Sequence, residues 1–131
     1  MAHSFVNLLT HMIFGTKRRK PYIAEEIRSD LFAYMGGIIR ELGGKPIIVN
    51  GMIDHVHLLV GMPATRTPAD VLRVLKTNSS RWVHERWPHR TEFAWQSGYG
   101  LFSVSESNRQ KLFQYIQTQE EHHKTVSFEE E

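Results

Sequence analysis

Residues 51–63, GMIDHVHLLVGMP, set His55 and His57 two positions apart in an otherwise apolar run. Successive strand side chains point to opposite faces, so both imidazoles share one face while Val56 and Leu58 share the other. Two neutral ring nitrogens placed this way can hold a divalent cation, leaving room for water, a substrate oxygen and a third protein ligand. The plain alternative is a pair of strand histidines hydrogen-bonded to their neighbours. Ile53, Val56, Leu58 and Val60 tilt the balance toward function, because burying polar rings among them costs free energy unless the rings find partners. A second constellation lies in YIQTQ, where Tyr115 and Gln119 are four residues apart. At about 100° per residue they fall within about 40° of one another on a helix face. A tyrosine oxygen becomes a covalent nucleophile when its proton is removed or its developing phenolate is stabilised, and a cation polarising a phosphate opposite it assists. The alternative is a Tyr115 packed in the core beside Ile116, and spacing alone does not bring it to the histidines.

The elements that must position these groups follow from periodicity. Residues 4–15, SFVNLLTHMIFG, alternate loosely, are rich in β-branched and aromatic residues and read as a strand. In residues 24–44, Ile27, Leu31, Tyr34, Ile38 and Leu42 recur at helical steps up to the Gly43-Gly44 stop, with Gly36-Gly37 as an internal weakness. Residues 45–63 give two strands joined through NGMID. Thr67 caps and Pro68 opens a second helix over 67–87, and 92–105 is an aromatic loop leading into a fourth strand. Ser105 is expected to cap a third helix over 106–124. The order βα, ββ, αβ, α predicts one α+β domain over residues 1–131. Its architecture is ferredoxin-like (RRM-like): an antiparallel sheet with helices on one face, an open face opposite, and an added C-terminal helix.

Composition narrows the classes. The chain has 131 residues, of which 40% are apolar, and no apolar run approaches the roughly 18–20 residues of a membrane span. The basic cluster KRRK follows the N-terminal apolar segment instead of preceding it, unlike a secretory signal, so cytoplasmic residence is the default expectation. Cysteine is absent, which leaves His, carboxylate and amide oxygen as metal ligands. The net charge is only +2, yet the basic residues cluster, and Lys17, Arg18, Arg19, Lys76 and Arg81 are candidate contacts to a nucleic-acid backbone. A solvated loop is the simpler account of KRRK. His11, on the first strand near the sheet centre, is a candidate neighbour of the His pair. His84, His89, His122 and His123 are assigned surface or helix-end roles, and Trp82, Trp87 and Trp95 packing roles.

DHVHLLV after a hairpin and YIQTQEEHHK in a following helix resemble the HUH-type single-tyrosine transposases of bacterial and archaeal insertion sequences, the insertion-sequence 200/605-like family. The similarity extends to THMIFGTKRRKPYI, LKTNSSRW and WQSGYGLFSVS, and so spans nearly the whole chain. It implies that Tyr115 is the nucleophile and that His55, His57 and Gln119 hold Mg²⁺ or Mn²⁺. It implies ATP-independent cleavage and rejoining of single-stranded DNA through a 5′-phosphotyrosine link, at element ends that carry hairpins. A homodimer is also implied, with the tyrosine helix of one subunit completing the His-pair site of the other. Nothing in the sequence obliges that helix to pack on its own sheet. Family members commonly continue past the position of SFEEE, so tail-dependent regulation or dimer contacts are not expected to carry over unchanged. Two rivals are a repeat-associated tyrosine nuclease acting on chromosomal palindromes and a non-catalytic RRM-like module. The second would display strand aromatics where DHVHLLV offers histidine.

Overall fold

The computed structural model describes residues 7–119. Four strands, β1 (Leu9–Gly15), β2 (Lys45–Met52), β3 (His55–Gly61) and β4 (Gly100–Val104), form an antiparallel sheet in the order β2-β3-β1-β4. Helix α1 (Glu25–Glu41) links β1 to β2, α2 (Pro68–Arg86) links β3 to β4, and α3 (Arg109–Gln117) follows β4. The expected α+β ferredoxin-like arrangement with an added C-terminal helix is therefore present.

Helices α1 and α2 cover the face that carries Met12, Phe14, Val56, Leu58 and Val60. Val56, Leu58 and Val60 are completely buried, each contributing about 1.5–3 kcal/mol. α1 runs through Gly36-Gly37 without a break, as packing on β2 and α2 offsets the roughly 1 kcal/mol that each glycine costs. It ends where Gly43 takes φ 90° and Gly44 N–H closes on Ile39 O at 3.0 Å. Thr67 caps α2 by accepting the Asp70 N–H at 3.1 Å.

Three boundaries differ from expectation. β1 begins at Leu9, and residues 4–6 of the expected strand lie outside the described residues. The connection between β2 and β3 is tighter than NGMID, since Asn50, Gly51 and Met52 still pair with β3 and only Ile53 and Asp54 turn. Backbone bonds from Thr16 N–H to Asp54 O (2.9 Å) and Ile23 N–H to Ile53 O (2.8 Å) strap that turn down. The third helix starts at Arg109, after a single 3₁₀ turn over 106–108. Ser105 instead shares a hydrogen bond with the Ser107 hydroxyl at 3.1 Å. The expected stretch 120–124 lies outside the described residues.

Candidate active site

β3 is inner in the sheet and buried on both faces. His55, His57 and Leu59 point away from α1 and α2, and His55 and His57 are 1% and 0% exposed. The turn at Ile53 and Asp54 sets the start of β3, and Gly51 lets β2 pass close behind it: a Cβ on Gly51 would collide with the His55 carbonyl oxygen. His57 lies between Ile13 of β1 and Asn50 of β2.

Asn50 also reaches across to α3. Its Nδ2 donates to Ile116 O at 2.9 Å and Gln117 O at 3.3 Å, two carbonyls of the last turn of the helix. Ile116, fully buried, anchors the same turn. The helix is thus fastened over β2 and β3 of its own chain. Tyr115 and Gln119 consequently face the His pair. The Tyr115 ring stands edge-on to His57 with centroids 6.0 Å apart, and Gln119 Oε1 lies 3.0 Å from His55 Nε2.

The other ring nitrogens are held from behind. His55 Nδ1 donates to Asp54 Oδ1 at 2.8 Å, while Asp54 Oδ2 pairs with the Arg19 guanidinium at 3.0 Å. Burial would raise the Asp54 carboxyl, but the His55 hydrogen bond and the Arg19 charge outweigh it and leave the group below its ordinary value. Arg18 and Arg19 both adopt φ 56°, a left-handed conformation costing about 1 kcal/mol or more each, and this turn brings Arg19 back beneath Asp54. On the other side His57 Nδ1 and His11 Nε2 are 2.8 Å apart. Burial pushes the His11 pKa down to about 4, so at neutral pH its uncharged ring can accept the His57 Nδ1 proton.

This arrangement can be tested against a divalent cation. Asp54 fixes the proton on His55 Nδ1, so the Nε2 lone pair faces the Gln119 amide oxygen. The two atoms stand 3.0 Å apart, a spacing that a metal ion or a proton between them, or the amide turned to present its N–H, each satisfies. Adjacent ligands of an octahedral Mg²⁺ with bonds of 2.0–2.1 Å stand roughly 3 Å apart. Carboxylate and imidazole partners behind metal-binding histidines serve to set the tautomer and raise ligand basicity. Among the described residues no three His, Cys, Asp or Glu side chains cluster as a metal site, so an N,N,O set needs the Gln119 amide. The residues fit the ion.

A cleft of about 590 Å³ opens beside the pair, with His11, His57, Tyr99, Phe102 and Tyr115 among its walls. The basic candidates divide. Lys17 and Arg18 are exposed, Arg81 is exposed and donates to Asn78 at 3.2 Å, and Arg19 supports Asp54. Lys76 donates to the carbonyls of Gln96 (2.6 Å), Ser97 (3.3 Å) and Gly98 (3.3 Å), fixing a wall of the cleft. His84 donates to Phe93 O at 2.8 Å, which ties the end of α2 to the following loop, and Trp82 stacks on Tyr34 in the packing role expected of it. Trp95 packs edge-on to Phe14 and donates to Ser79. His122 and His123 lie outside the described residues. Asn50, Asp54 and Phe102 were not singled out from sequence. Only Asp54, adjacent to His55, carried a readable signal.

The chain is a ferredoxin-like α+β domain whose appended helix carries Tyr115 over the His pair. The chain matches the family model of IS200-like transposases over residues 4–119 and belongs to that family. It is 28% identical over 114 residues to the ISDra2 transposase TnpA of Deinococcus radiodurans, covering 83% of this chain and 81% of that protein. It is 27% identical over 134 aligned positions to the transposase for insertion sequence element IS200 of Salmonella typhimurium, covering 95% and 84%. The crystal structure of a candidate transposase from Deinococcus radiodurans superposes with a TM-score of 0.70 at 27% identity, covering 91% of this chain and 96% of the other. A REP-associated tyrosine transposase bound to a REP hairpin shares the fold, with a TM-score of 0.69 at 11% identity, covering 96% and 74%. No helix among the described residues is long and apolar enough to cross a membrane.

Proposed function

We propose that the chain is a metal-dependent single-stranded DNA endonuclease and strand transferase that acts through a 5′-phosphotyrosine link at hairpin-bearing transposon ends. The observation that carries this reading is the convergence of Tyr115 and Gln119 on the buried pair His55 and His57, beside an open cleft. Tyr115 Oη attacks a backbone phosphorus and gives up its proton. The P–O3′ bond breaks, and the departing oxygen takes up a proton as a free 3′-hydroxyl. One phosphodiester replaces another, so no ATP is required, and a 3′-hydroxyl attacking the phosphotyrosine runs the step in reverse.

His55, His57 and Gln119 would hold Mg²⁺ or Mn²⁺, which when bound polarises the scissile phosphate and stabilises charge developing on its oxygens. Asp54 and His11 keep the two imidazoles in the tautomers that expose their Nε2 lone pairs. Asn50 holds the nucleophile's helix in reach. Recognition of a DNA hairpin is carried over from the family and from the hairpin bound by the REP-associated relative.

The test is covalent capture. Tyr115→Phe keeps the ring and removes the attacking oxygen, so hairpin binding should persist while the protein–DNA adduct disappears on a denaturing gel. Chelation should abolish the adduct in the parent protein. An adduct that survives Tyr115→Phe overturns the assignment of the nucleophile, and one that survives chelation overturns the metal.

Assembly as a homodimer with sites completed in trans belongs to the same proposal. One chain already brings the four residues together, and the short connector between β4 and α3, residues 105–108, is where two copies would exchange helices.

A further inference from the structure

β4 is an edge strand, and it displays aromatic surface next to the candidate site. Phe102 is 57% and Tyr99 49% exposed. Phe102 pairs with His11 across the β1–β4 ladder, its ring centroid 6.0 Å from the imidazole. From there the rings continue to His57, stacked at 5.1 Å, and to Tyr115 at 6.0 Å. The register of the sheet thus lays a row of rings from its edge to the proposed nucleophile. Gly100 leaves room for the first of them, as a Cβ there would come within 3.1 Å of Phe102 Cε2 and 2.6 Å of Ile13 Cγ2.

Phe102 also divides two clefts. The cleft of about 590 Å³ lies on the Tyr99 side, and a second of about 490 Å³ shares His11, Phe102 and Tyr115 with it and adds Asn108 and Lys111. Tyr115 borders both. The two clefts together give a strand a path past Tyr115 on either side, and Phe102 stands where they meet. Single-stranded nucleic acid offers what this surface fits: unstacked bases with π faces for an exposed ring and phosphates for a nearby ammonium.

We propose that Phe102 is a base-stacking residue: a nucleobase flanking the phosphate attacked by Tyr115 lies against its ring, while Lys111 contacts the backbone in the second cleft. The proposal rests on the reading of the chain as a single-strand nuclease. Phenylalanine has no hydrogen-bonding group on its ring, so the contact fixes the strand's path without selecting one base.

The experiment measures fluorescence anisotropy of a short labelled oligo-dA, with Mn²⁺ present, in a Tyr115→Phe background that prevents covalent capture. Stacking on an aromatic contributes about 1–3 kcal/mol per base, so Phe102→Ala should weaken binding by roughly 5- to 150-fold. Phe102→Trp should restore it, and Lys111→Ala should reduce the salt dependence. Mn²⁺ affinity and melting temperature should stay at parental values in Phe102→Ala, because the ring is largely solvated. Unchanged oligonucleotide binding in Phe102→Ala overturns the stacking role alone and leaves the nuclease reading intact. A fall in Mn²⁺ affinity or melting temperature that accounts for the loss also overturns it, by showing a structural role. A parent that binds Mn²⁺ but no single strand overturns the nuclease reading and the stacking role together.

Discussion

Asp54→Asn alters one atom of a side chain that touches neither of the proposed reacting partners, yet it should impair the metal site. In the structure Asp54 Oδ1 accepts from His55 Nδ1 at 2.8 Å and Oδ2 accepts from Arg19 at 3.0 Å. An asparagine has one acceptor for these two donors. If its oxygen stays with Arg19, its NH₂ faces His55 Nδ1, which must then become the acceptor. The imidazole proton moves to Nε2, where it donates to Gln119 Oε1 at the present 3.0 Å separation and occupies the lone pair that the ion needs. If the oxygen turns to His55 instead, the NH₂ opposes the guanidinium. Losing such a partner behind a metal ligand typically costs 10- to 100-fold in affinity, about 1.4–2.7 kcal/mol. Folding should suffer less, because the Arg19–Asp54 pair is a quarter exposed and such pairs contribute up to about 1 kcal/mol. Calorimetric titration of Mn²⁺ into the purified protein, with His57→Ala as the control that removes a ligand outright, reads the effect. Asp54→Asn with parental Mn²⁺ affinity, beside a clear loss in His57→Ala, would refute the tautomer argument.

Other perturbations test other parts of the site. Asn50→Ala removes both side-chain bonds to the end of α3 and should cost about 1–2 kcal/mol, with amide exchange accelerating in α3 before it does in the sheet; uniform acceleration would deny Asn50 its anchoring role. In the metal-free protein the His11 pKa of about 4 lies below the ordinary 6.5, so the unfolded chain binds the extra proton. Stability should be complete above pH 6.5 and fall toward pH 4, by at most about 3 kcal/mol from this group. His11→Asn should flatten that slope in urea titrations, and an unchanged slope would reject the assignment. Mixing Tyr115→Phe with His57→Ala subunits, once heterodimers are demonstrated, should restore adduct formation if α3 is exchanged between copies. A mixture that stays inactive restricts the site to the single-chain geometry.

Much of the fold was legible because local chemistry and tertiary context agreed. The alternation through DHVHLLV specified a strand with two faces, and Thr67-Pro68 and Gly43 marked helix ends by their own capping geometry. The third helix was read too early at Ser105, because a serine before a charged helical run looks like a cap whether or not a 3₁₀ turn intervenes. The turn at Ile53 and Asp54 was read too long, as Asn50 and Gly51 resemble turn residues yet pair within β2.

For the site, sequence determined which groups share an element. Strand and helix periods put His55 with His57 and Tyr115 with Gln119, since side-chain direction within an element follows from backbone geometry alone. What brought the pairs together was tertiary. Asn50 is 66 residues from the carbonyl it grips, and Phe102 meets His11 only through a ladder between distant strands. In sequence Lys76 is one candidate backbone contact among several, and only the fold places the carbonyls of Gln96, Ser97 and Gly98 around its ammonium. Spacing along a chain fixes directions within one element, whereas distances between elements depend on how buried faces pack, and that is a property of the whole sequence at once.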